Sequence, residues 1–331
     1  MSDATDTLPG NEEFAALAAP YRRELLAHCY RMLGSVDDAE DQVQETLLRA
    51  WRSYADFEGR SSMRTWLHRI ATNACLRALE NRARRPLPSG LTEPAPDPEA
   101  PLPAEGVDLP WLQPMPDLLA GAADTDPAVV VASRAGLRLA LIAALQYLPP
   151  RQRAVLILRD VLDWRATEVA DVLGTSTAAV NSALQRARTQ LVTLAPAEDD
   201  IREPADPDVQ DRLARYAAAF ESADVKGLAA LLTAEAKFEM PPMPFWFSGR
   251  DRIATFLARR VLRTPGAFRM LPVGANGQPA LAAYERDTDG AYRAHAIQVL
   301  DITSAGITRI VSFNDASLFR AFALPGGYPV A

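Results

Sequence analysis

A tract rich in proline, aspartate and glutamate interrupts the chain between residues 88 and 133. Proline fixes φ and removes a backbone donor, so such a tract has little room for helix or strand. It separates a block at residues 11–87 from a second block at 134–195. A shorter acidic linker, residues 196–208, precedes a third block at 209–326. We therefore predict three folded parts joined by two linkers.

The formal net charge of −7 conceals an uneven distribution of arginine. Seven arginines and a single acid lie between Arg60 and Arg85, and eight arginines and four acids lie between Arg134 and Ala195. The tract between these segments contains acids and no arginine or lysine. Because local charge sets attraction to phosphate, both basic segments are candidates for nucleic-acid contact.

The first two blocks have helical periodicity. "FAALAAPYRRELLAHCYRML", "DDAEDQVQETLLRAW" and "MRTWLHRIATNACLRALENRARR" repeat apolar residues every three or four positions. "SRAGLRLALIAALQYL" and "RQRAVLILRDVL" do so beyond the linker, with Pro149 and Pro150 between them. Cys29 and Cys75 lie in apolar positions of the first block and form no Cys-x-x-Cys pair, so we interpret them as buried structural thiols.

The stretch "VADVLGTSTAAVNSALQRAR" indicates a helix, a tight turn at Gly174 and a second helix. Asparagine and glutamine can bind adenine, arginine can bind guanine, and a helix N-terminus can accept a phosphate. An ordinary pair of antiparallel helices with a solvated face remains the alternative. The candidates for DNA contact on the outer face are Ser176, Thr177, Asn181, Ser182, Gln185, Arg186 and Arg188.

The third block has a different pattern. Helical stretches come first, and "FRMLPV", "PALAAYER", "AYRAHAIQVLDIT" and "ITRIVSFND" then alternate as strands do. Helices followed by a run of antiparallel strands indicate an α+β domain.

The two helical blocks resemble a known family. "ALQYLPPRQRAVLILRDVLDWRATEVADVLGTSTAAVNSALQRAR" resembles region 4 of bacterial RNA polymerase sigma factors, which reads the −35 promoter element. "DDAEDQVQETLLRAW" resembles region 2.2, and "FEGRSSMRTWLHRIATNACLRALENRARR" resembles regions 2.3 and 2.4. The three matches occur in family order without a region 3 domain, which is typical of the extracytoplasmic-function (ECF) group. Gln42 stands where that group often has an apolar residue.

The resemblance implies two all-α sigma domains, a region 2 bundle and a region 4 helix-turn-helix, that bind core RNA polymerase and promoter DNA. Region 2.2 docks on the polymerase clamp, which implies contacts by Asp38, Asp41, Gln44, Glu45 and Arg49. Regions 2.3 and 2.4 capture the melted −10 element, which implies DNA contacts by Arg60, Ser61, Ser62, Asn73, Arg77, Asn81, Arg84 and Arg85. A phosphate-positioning role is equally open for most of these arginines.

The third block resembles the start of SnoaL-like domains of the NTF2-like superfamily, in "VQDRLARYAAAFESADVKGLAALLTAEAKFEMPPMP". The resemblance implies a cone built from a curved sheet and helices, with room for a small-molecule ligand. Trp246, Tyr284 and His295 are candidates for lining such a pocket. A loop packed over the core is the alternative for Trp246, and a structural role is the alternative for His295.

The sequence therefore predicts a cytoplasmic sigma factor that recognises −10 and −35 elements and whose third domain modulates it. The alternative is an NTF2-like enzyme or ligand-sensing domain fused to a DNA-binding module. No catalytic triad order, metal-ligand spacing or phosphate loop is visible, so we expect neither catalytic residues, metal nor cofactor. The apolar island "LPWLQPMPDLL" inside the acidic linker should dock on a folded part of the chain, because exposed Trp and Leu are unfavourable.

Overall fold

The computed structural model describes residues 11–59, 61–80, 82–101, 108–120, 136–194 and 201–329. The chain divides into two compact units. The first combines Met1–Arg84 with Leu119–Pro196, and the second combines Arg85–Leu118 with Ala197–Ala331. Within the described ranges, no helix is both long enough and apolar enough to cross a lipid bilayer.

The described part of the first helical block contains four α-helices, where the sequence predicts three helical stretches. Pro20 lies in a 3-10 turn that divides the first predicted helix in two, and Gly34 ends the second helix with φ of 69°. Ser35 then caps the third helix by accepting a hydrogen bond from the Asp38 amide. The helices are α1 (Asn11–Ala18), α2 (Arg22–Leu33), α3 (Val36–Arg52) and α4 (Met63–Leu79).

The second helical block follows the proline-rich linker. Pro150 opens a helix rather than ending one, since proline at the first helical position loses no hydrogen bond. Its last turn, Ile157–Val161, is a π-helix. After the four-residue helix α5 (Asp117–Ala120), the helices of this block are α6 (Leu139–Leu145), α7 (Pro150–Leu156), α8 (Ala166–Leu173) and α9 (Thr177–Leu194).

Two buried arginines join the helical blocks of the first unit. Arg153 of α7 donates to the carbonyl oxygen of Met32 at the C-terminal end of α2, and it is 3% exposed. In the opposite direction, Arg31 of α2 donates to the carbonyl oxygen of Gly136, which precedes α6, at 3.0 Å. Burial lowers the pKa of each guanidinium to about 10, so both stay charged at neutral pH. The negative end of the α2 dipole favours the cation beside Met32.

A pair of buried histidines lies between α2 and α4. The rings of His28 and His68 pack edge to face with their centroids 5.4 Å apart, and the Thr72 hydroxyl lies 3.0 Å from His28 Nε2. Burial lowers the pKa of both histidines below 6.5, and for His28 the neighbouring His68 and Arg31 add to this effect. Both rings are therefore neutral in the folded protein at pH 7.

We predict that acid weakens the first unit through this pair. The unfolded chain protonates its histidines near pH 6.5, whereas the folded chain resists protonation, so the stabilisation is complete above pH 6.5 and is lost as the pH falls below it. Each histidine contributes a slope of up to about 1.4 kcal/mol per pH unit. Urea unfolding between pH 7.5 and 5 should show the loss, and His28→Gln with His68→Gln should flatten it. An equally steep loss in the double variant would contradict this origin.

The second unit is an α+β domain, and its order of elements confirms the predicted class. Three helices precede or interrupt the sheet: α10 (Pro207–Glu221), α11 (Val225–Leu231) and α12 (Arg250–Phe256). The strands are β1 (Leu232–Glu239), β2 (Trp246–Ser248), β3 (Phe268–Ala275), β4 (Gln278–Arg286), β5 (Tyr292–Thr303) and β6 (Gly306–Phe313). They form one sheet in the order β2-β1-β6-β5-β4-β3.

The expectation of a purely antiparallel sheet is wrong at one pairing. β1 runs parallel to β6, with Phe238 opposite Ile310, while the other neighbours are antiparallel. β1 and β2 were not predicted as strands, because "AKFE" and "WFS" are too short to show alternation. The helices pack on one sheet face in an apolar core that includes Leu213, Phe256 and Leu300.

Candidate nucleic-acid interface and the domain attached to it

The helix-turn-helix consists of α8, a turn and α9. Gly174 ends α8 in the left-handed conformation, with φ of 59°, which glycine adopts without steric cost. The Ser176 hydroxyl accepts a hydrogen bond from the Ala179 amide at 3.2 Å and so caps α9. Val169 and Val180 are fully buried between the helices. This packing fixes which side of α9 faces outward.

The outward side of α9 carries all the residues that the sequence predicts for −35 contact. Both arginines of this set have partners within the domain. Arg186 donates to the Ser182 hydroxyl at 2.6 Å, and Arg188 donates two hydrogen bonds to the Asp160 carboxylate. A phosphate must therefore compete with Asp160 for Arg188. The exposed set is Ser176, Thr177, Asn181, Ser182, Gln185, Arg186 and Arg188.

The predicted polymerase-binding residues lie along α3. The helix buries Ala39, Val43 and Ala50 against its own domain, which leaves Asp41 and Gln44 exposed. The remaining three are already paired. Asp38 accepts a hydrogen bond from Arg82, and Glu45 pairs with Arg49 one turn later.

The residues predicted for −10 contact differ in their exposure and in their hydrogen-bond partners. Ser61 and Arg77 are exposed, Ser62 caps α4 through the Thr65 amide, and Asn73 donates to the carbonyl oxygen of Arg69 at 3.0 Å. Two more residues of this predicted set, Arg60 and Asn81, lie outside the described residues.

The two arginines that close this basic segment have different surroundings. The guanidinium of Arg84 stacks over the Tyr147 ring of the second helical block, 4.6 Å from its centroid. Arg85 begins the second unit and donates to the carbonyl oxygen of Trp111 at 2.9 Å. Both contacts occupy cations that the sequence predicts for DNA.

The buried thiols are not a reactive site. Cys29 and Cys75 are both fully buried, and a hydrogen bond with Cys29, together with burial, raises the pKa of Cys75 well above its ordinary value. A protonated, inaccessible thiol is a poor nucleophile. Among the described residues, no cluster of three histidine, cysteine or acidic side chains could hold a metal ion.

The structure does not bring Trp246, Tyr284 and His295 into one pocket. β2, which carries Trp246, is four strands from β4, which carries Tyr284, or about 19 Å across the sheet. The Tyr284 ring packs between Phe319 and Tyr328. His295 Nδ1 lies 3.1 Å from a Glu285 carboxylate oxygen, and burial lowers the pKa of His295, an effect that Glu285 opposes.

The acidic linker is bound to the second unit at several points. We call its described residues, 85–101 and 108–118, the strap. Asn276 at the tip of the β3–β4 hairpin accepts from the Met115 amide through its side chain at 2.9 Å. The Asn276 amide in turn donates to the carbonyl oxygen of Met115 at 2.8 Å, and the Gly277 amide donates to the Asp117 carboxylate at 2.7 Å. Leu112 and Met115 of the apolar island are buried, which confirms that the island docks.

The other half of the strap binds near β1 and β2. Glu239 of β1 is completely buried, pairs with Arg309 and accepts a hydrogen bond from the Ser89 amide at 2.9 Å. The Trp246 indole, predicted as a pocket residue, donates to the carbonyl oxygen of Thr92 at 2.8 Å and so contacts the strap. Further along, Glu99 pairs with Arg259 at 2.9 Å.

The two ends of the strap meet. The Leu112 amide donates to the carbonyl oxygen of Pro86 at 3.3 Å, beside the bond between Arg85 and Trp111. Arg85 and Trp111, which are 26 positions apart in sequence, are therefore neighbours in space. The distance between them is far shorter than an extended chain of that length would span.

Comparisons with known proteins agree with this arrangement of domains. Residues 17–85 match the family model for Sigma-70 region 2, residues 138–191 match Sigma-70 region 4, and residues 213–311 match the SnoaL-like domain. The ECF RNA polymerase sigma factor SigG of Mycobacterium tuberculosis is 53% identical over 315 residues, covering 95% of this chain and 84% of the relative. The chain belongs to the ECF RNA polymerase sigma factors.

A second relative also matches over most of the length of both chains. The ECF RNA polymerase sigma factor SigJ of Mycobacterium tuberculosis is 32% identical to this sigma factor over 301 residues, covering 88% of this chain and 86% of the relative. The crystal structure of SigJ from that organism superposes with a TM-score of 0.60 at 25% identity, covering 96% of this chain and 100% of that one. A sigma factor is not an enzyme, so family membership decides against the enzyme interpretation for the chain as a whole.

No pattern in the sequence of this sigma factor pointed to the residues that hold the strap. Asn276 and Gly277 both have positive φ, of 60° and 67°, as the central residues of a tight hairpin turn do. The dipeptide Asn-Gly between two strands could have identified the turn, but no sequence signal shows what its side chain binds. Glu239 likewise looks like an ordinary strand-end acid.

We predict that Asn276→Ala loosens the strap while the sheet stays folded. The variant removes the acceptor for the Met115 amide, and a buried donor without a partner costs about 1–3 kcal/mol. Hydrogen exchange at residues 112–118 should become faster, with β4 and β5 protected as before. Thr288→Ala, on the exposed β4–β5 turn, is the matched control and should leave the strap unchanged. Equal exchange in Asn276→Ala and the parent protein would show that this contact does not hold the strap.

Proposed function

We propose that this sigma factor directs transcription initiation by reading the −35 element with α9 and the −10 element with region 2. We define region 2 as residues 17–85 and region 4 as residues 138–191. The observation that carries the proposal is the outward face of α9, where amide, hydroxyl and guanidinium groups lie side by side with no apolar residue covering them. A helix of this composition behind a helix-turn-helix turn fits the major groove of B-DNA.

The residues of α9 divide into two chemical classes. Asn181 and Gln185 lie one helical turn apart, and each carries an amide that can bind the N6 and N7 atoms of adenine. Ser176 and Thr177 are at the helix N-terminus, where backbone amides attract a phosphate. Arg186 can bind either guanine or the backbone. The first class would specify sequence and the second would fix position.

Polymerase docking is assigned to the exposed acids of α3. Asp41 is exposed and has Gln44 beside it on the next turn, so the helix offers a carboxylate and an amide to a basic partner surface. The salt bridges of Asp38 and Glu45 are partly exposed and weak in water. A polymerase cation can replace Arg82 or Arg49 as their partner at little cost.

We predict that substitutions on α9 affect either base discrimination or overall DNA affinity, depending on the residue. Asn181→Ala and Gln185→Ala should each lower discrimination against substituted −35 bases by about 1–3 kcal/mol. Arg186→Ala should weaken binding across sequences and reduce the salt slope by about one if it binds a phosphate. Holoenzyme binding to promoter duplexes with single −35 substitutions measures both effects. Thr193→Ala, three turns beyond Asn181, is the control.

Unchanged preference at every −35 base in Asn181→Ala and Gln185→Ala, with normal polymerase binding, would contradict the assignment of α9. Loss of polymerase binding in the same variants would instead indicate that region 4 had failed to fold.

We further propose that the SnoaL-like domain modulates initiation by holding the strap. The names of the two elements place them 25 base pairs apart, or about 85 Å along B-DNA at 3.4 Å per base pair. Residues 86–111, fully extended, would supply about 90 Å at 3.3–3.6 Å per residue. When the strap is docked, this length of chain cannot extend. The length is comparable to the distance between the −10 and −35 elements. The domain therefore controls how far regions 2 and 4 can move apart.

We predict that releasing the strap changes promoter use without changing polymerase binding. Asn276→Ala combined with Glu239→Gln removes contacts at both halves of the strap. Run-off transcription with core polymerase should change in amount and should tolerate spacers between −10 and −35 that are several base pairs longer than the preferred one. Unaltered transcription and spacer preference, in a variant whose strap exchanges freely, would contradict a modulating role for the strap.

A further inference from the structure

We propose that the SnoaL-like domain binds the phosphate backbone of DNA through a surface of arginines that the acidic strap partly covers. This arginine surface consists of five exposed side chains on α12, on the π-helical turn Leu257–Val261 that follows it and just beyond: Arg250, Arg252, Arg259, Arg260 and Arg263. The inference goes beyond the proposed role of the strap, because it gives the domain a ligand of its own. It rests on the proposed function in one respect, that this sigma factor binds promoter DNA.

The positive charge of the domain is concentrated on the arginine surface. Residues 201–329 contain fifteen arginines and lysines and fourteen acids, so the domain as a whole is nearly neutral. Residues 250–263 contain five of those arginines and a single acid, Asp251. Asp251 is fully exposed and lies 4.0 Å from Arg250, where an ion pair contributes little in water. Because attraction to phosphate follows local charge, this surface is suited to nucleic acid although the domain is not basic.

The packing of α12 fixes which side of the helix faces the solvent. Ile253, Phe256 and Leu257 are buried in the apolar core of the domain. Arg252 and Arg259 are seven residues apart, so they lie on the same side of the helix with two turns, or about 10 Å, between them. That distance is close to the rise of three base pairs in B-DNA, at about 3.4 Å each. The two guanidinium groups can therefore bind different phosphates of one DNA strand.

The strap occupies part of the arginine surface as an anionic ligand would. The Glu99 carboxylate lies 2.9 Å from Arg259 Nε, and Arg260 donates to the carbonyl oxygens of Glu99 and Ala100 at 2.8 and 3.1 Å. Oxygen atoms of the strap thus bind two adjacent guanidinium groups, which is how phosphate oxygens bind arginine in protein–DNA complexes. Residues 86–118 contain six acids and no arginine or lysine, so the strap resembles the DNA backbone in charge as well.

The contact between the strap and the arginine surface is weak enough for DNA to replace it. The side chains of Arg259 and Glu99 are 70% and 55% exposed, and solvent screens an ion pair that is exposed to this degree. A phosphate offers a guanidinium two oxygens at once, and its binding also releases counterions from the DNA. Regions 2 and 4 belong to the same chain, so promoter DNA bound by them is present at high effective concentration.

Site-directed crosslinking tests the proposal in the full-length protein bound to core polymerase. Ala258→Cys places an exposed thiol beside Arg259, and Ala316→Cys places one in the exposed turn after β6, outside the arginine surface. The native thiols are buried, so a photoreactive group attached to cysteine reports on the introduced position. With labelled promoter DNA that extends beyond both elements, we expect crosslinks to DNA from position 258 and none from position 316.

Substitution of the arginines tests the cause of the crosslink. Arg259→Gln with Arg260→Gln should remove most of the crosslink from position 258. The same pair should lower the slope of log affinity against log salt concentration, for holoenzyme binding to the promoter, by about 1.8, since each phosphate contact contributes about 0.9. Arg215→Gln, an exposed arginine of α10, is the control and should change neither.

Substitution of the strap tests the competition between the strap and DNA. Glu99→Gln removes the carboxylate charge that pairs with Arg259, so the crosslink from position 258 should increase several-fold. Glu93→Gln, at another exposed acid of the strap, is the matched control and should give the same yield as the parent protein. An equal yield in Glu99→Gln and Glu93→Gln would show that the strap does not compete with DNA at this surface.

Equal crosslinking to DNA from positions 258 and 316 would overturn the proposal, and so would a crosslink that persists in Arg259→Gln with Arg260→Gln. Crosslinks from position 258 to polymerase subunits alone would overturn it as well and would identify a protein as the partner. Failure of the promoter assignment has a different signature. In that case −35 base preference would be independent of α9, while the crosslink from position 258 to DNA would still depend on Arg259 and Arg260.

Discussion

The packing of the two sigma regions against each other depends on the hydrogen bonds of the buried Arg153 guanidinium. It is almost completely buried, yet its bonds go to backbone carbonyls and an amide rather than to a carboxylate. A charge in this setting needs every available acceptor, and the C-terminal end of α2 supplies one through Met32. Removing region 4 from region 2 therefore exposes a helix end and a charge together, and both are readily hydrated. The contact is therefore specific in its geometry.

The strap, like Arg153, has buried polar groups that need hydrogen-bond partners. A stretch of chain without helix or strand has backbone donors and acceptors that need partners when it is buried. The second unit provides them one at a time: Asn276 for Met115, Glu239 for Ser89 and Trp246 for Thr92. An acidic side chain of the strap also forms a salt bridge with the domain, between Glu99 and Arg259. The strap is thus a structural part of the second unit, although it lies between the sigma regions in sequence.

Much of the architecture could be predicted from local patterns. Helical periodicity identified α2, α3, α4 and α9, and alternation identified β3 to β6, because in each case one face of a regular element is buried. The parallel pairing of β1 with β6 could not be predicted, since it joins segments about seventy residues apart and β1 contains the buried Glu239. The exposed face of α9 followed from its motif, whereas the bond between Trp246 and Thr92 could not be foreseen, because an aromatic residue beside prolines gives no indication of what covers it.

The residues that make the long-range contacts were the hardest to foresee. Arg153 is one of two arginines in "RQR", and burial alone distinguishes it from Arg151. Asn276 stands in a turn that any hairpin could have used. In both cases the function comes from a backbone group more than a hundred residues away, and no local pattern records such a pairing.

The strap also has a consequence for the order of events during synthesis. Asn276 follows Met115 by 161 residues, which a ribosome adds in roughly 10 to 30 s at 5–20 residues per second. During that interval both sigma regions emerge, while the hairpin that binds the strap does not yet exist. A nascent chain thus passes through a period in which the strap cannot bind Asn276, because the hairpin has not yet been made. In each newly made molecule this contact can form only after the sequence of both sigma regions is complete.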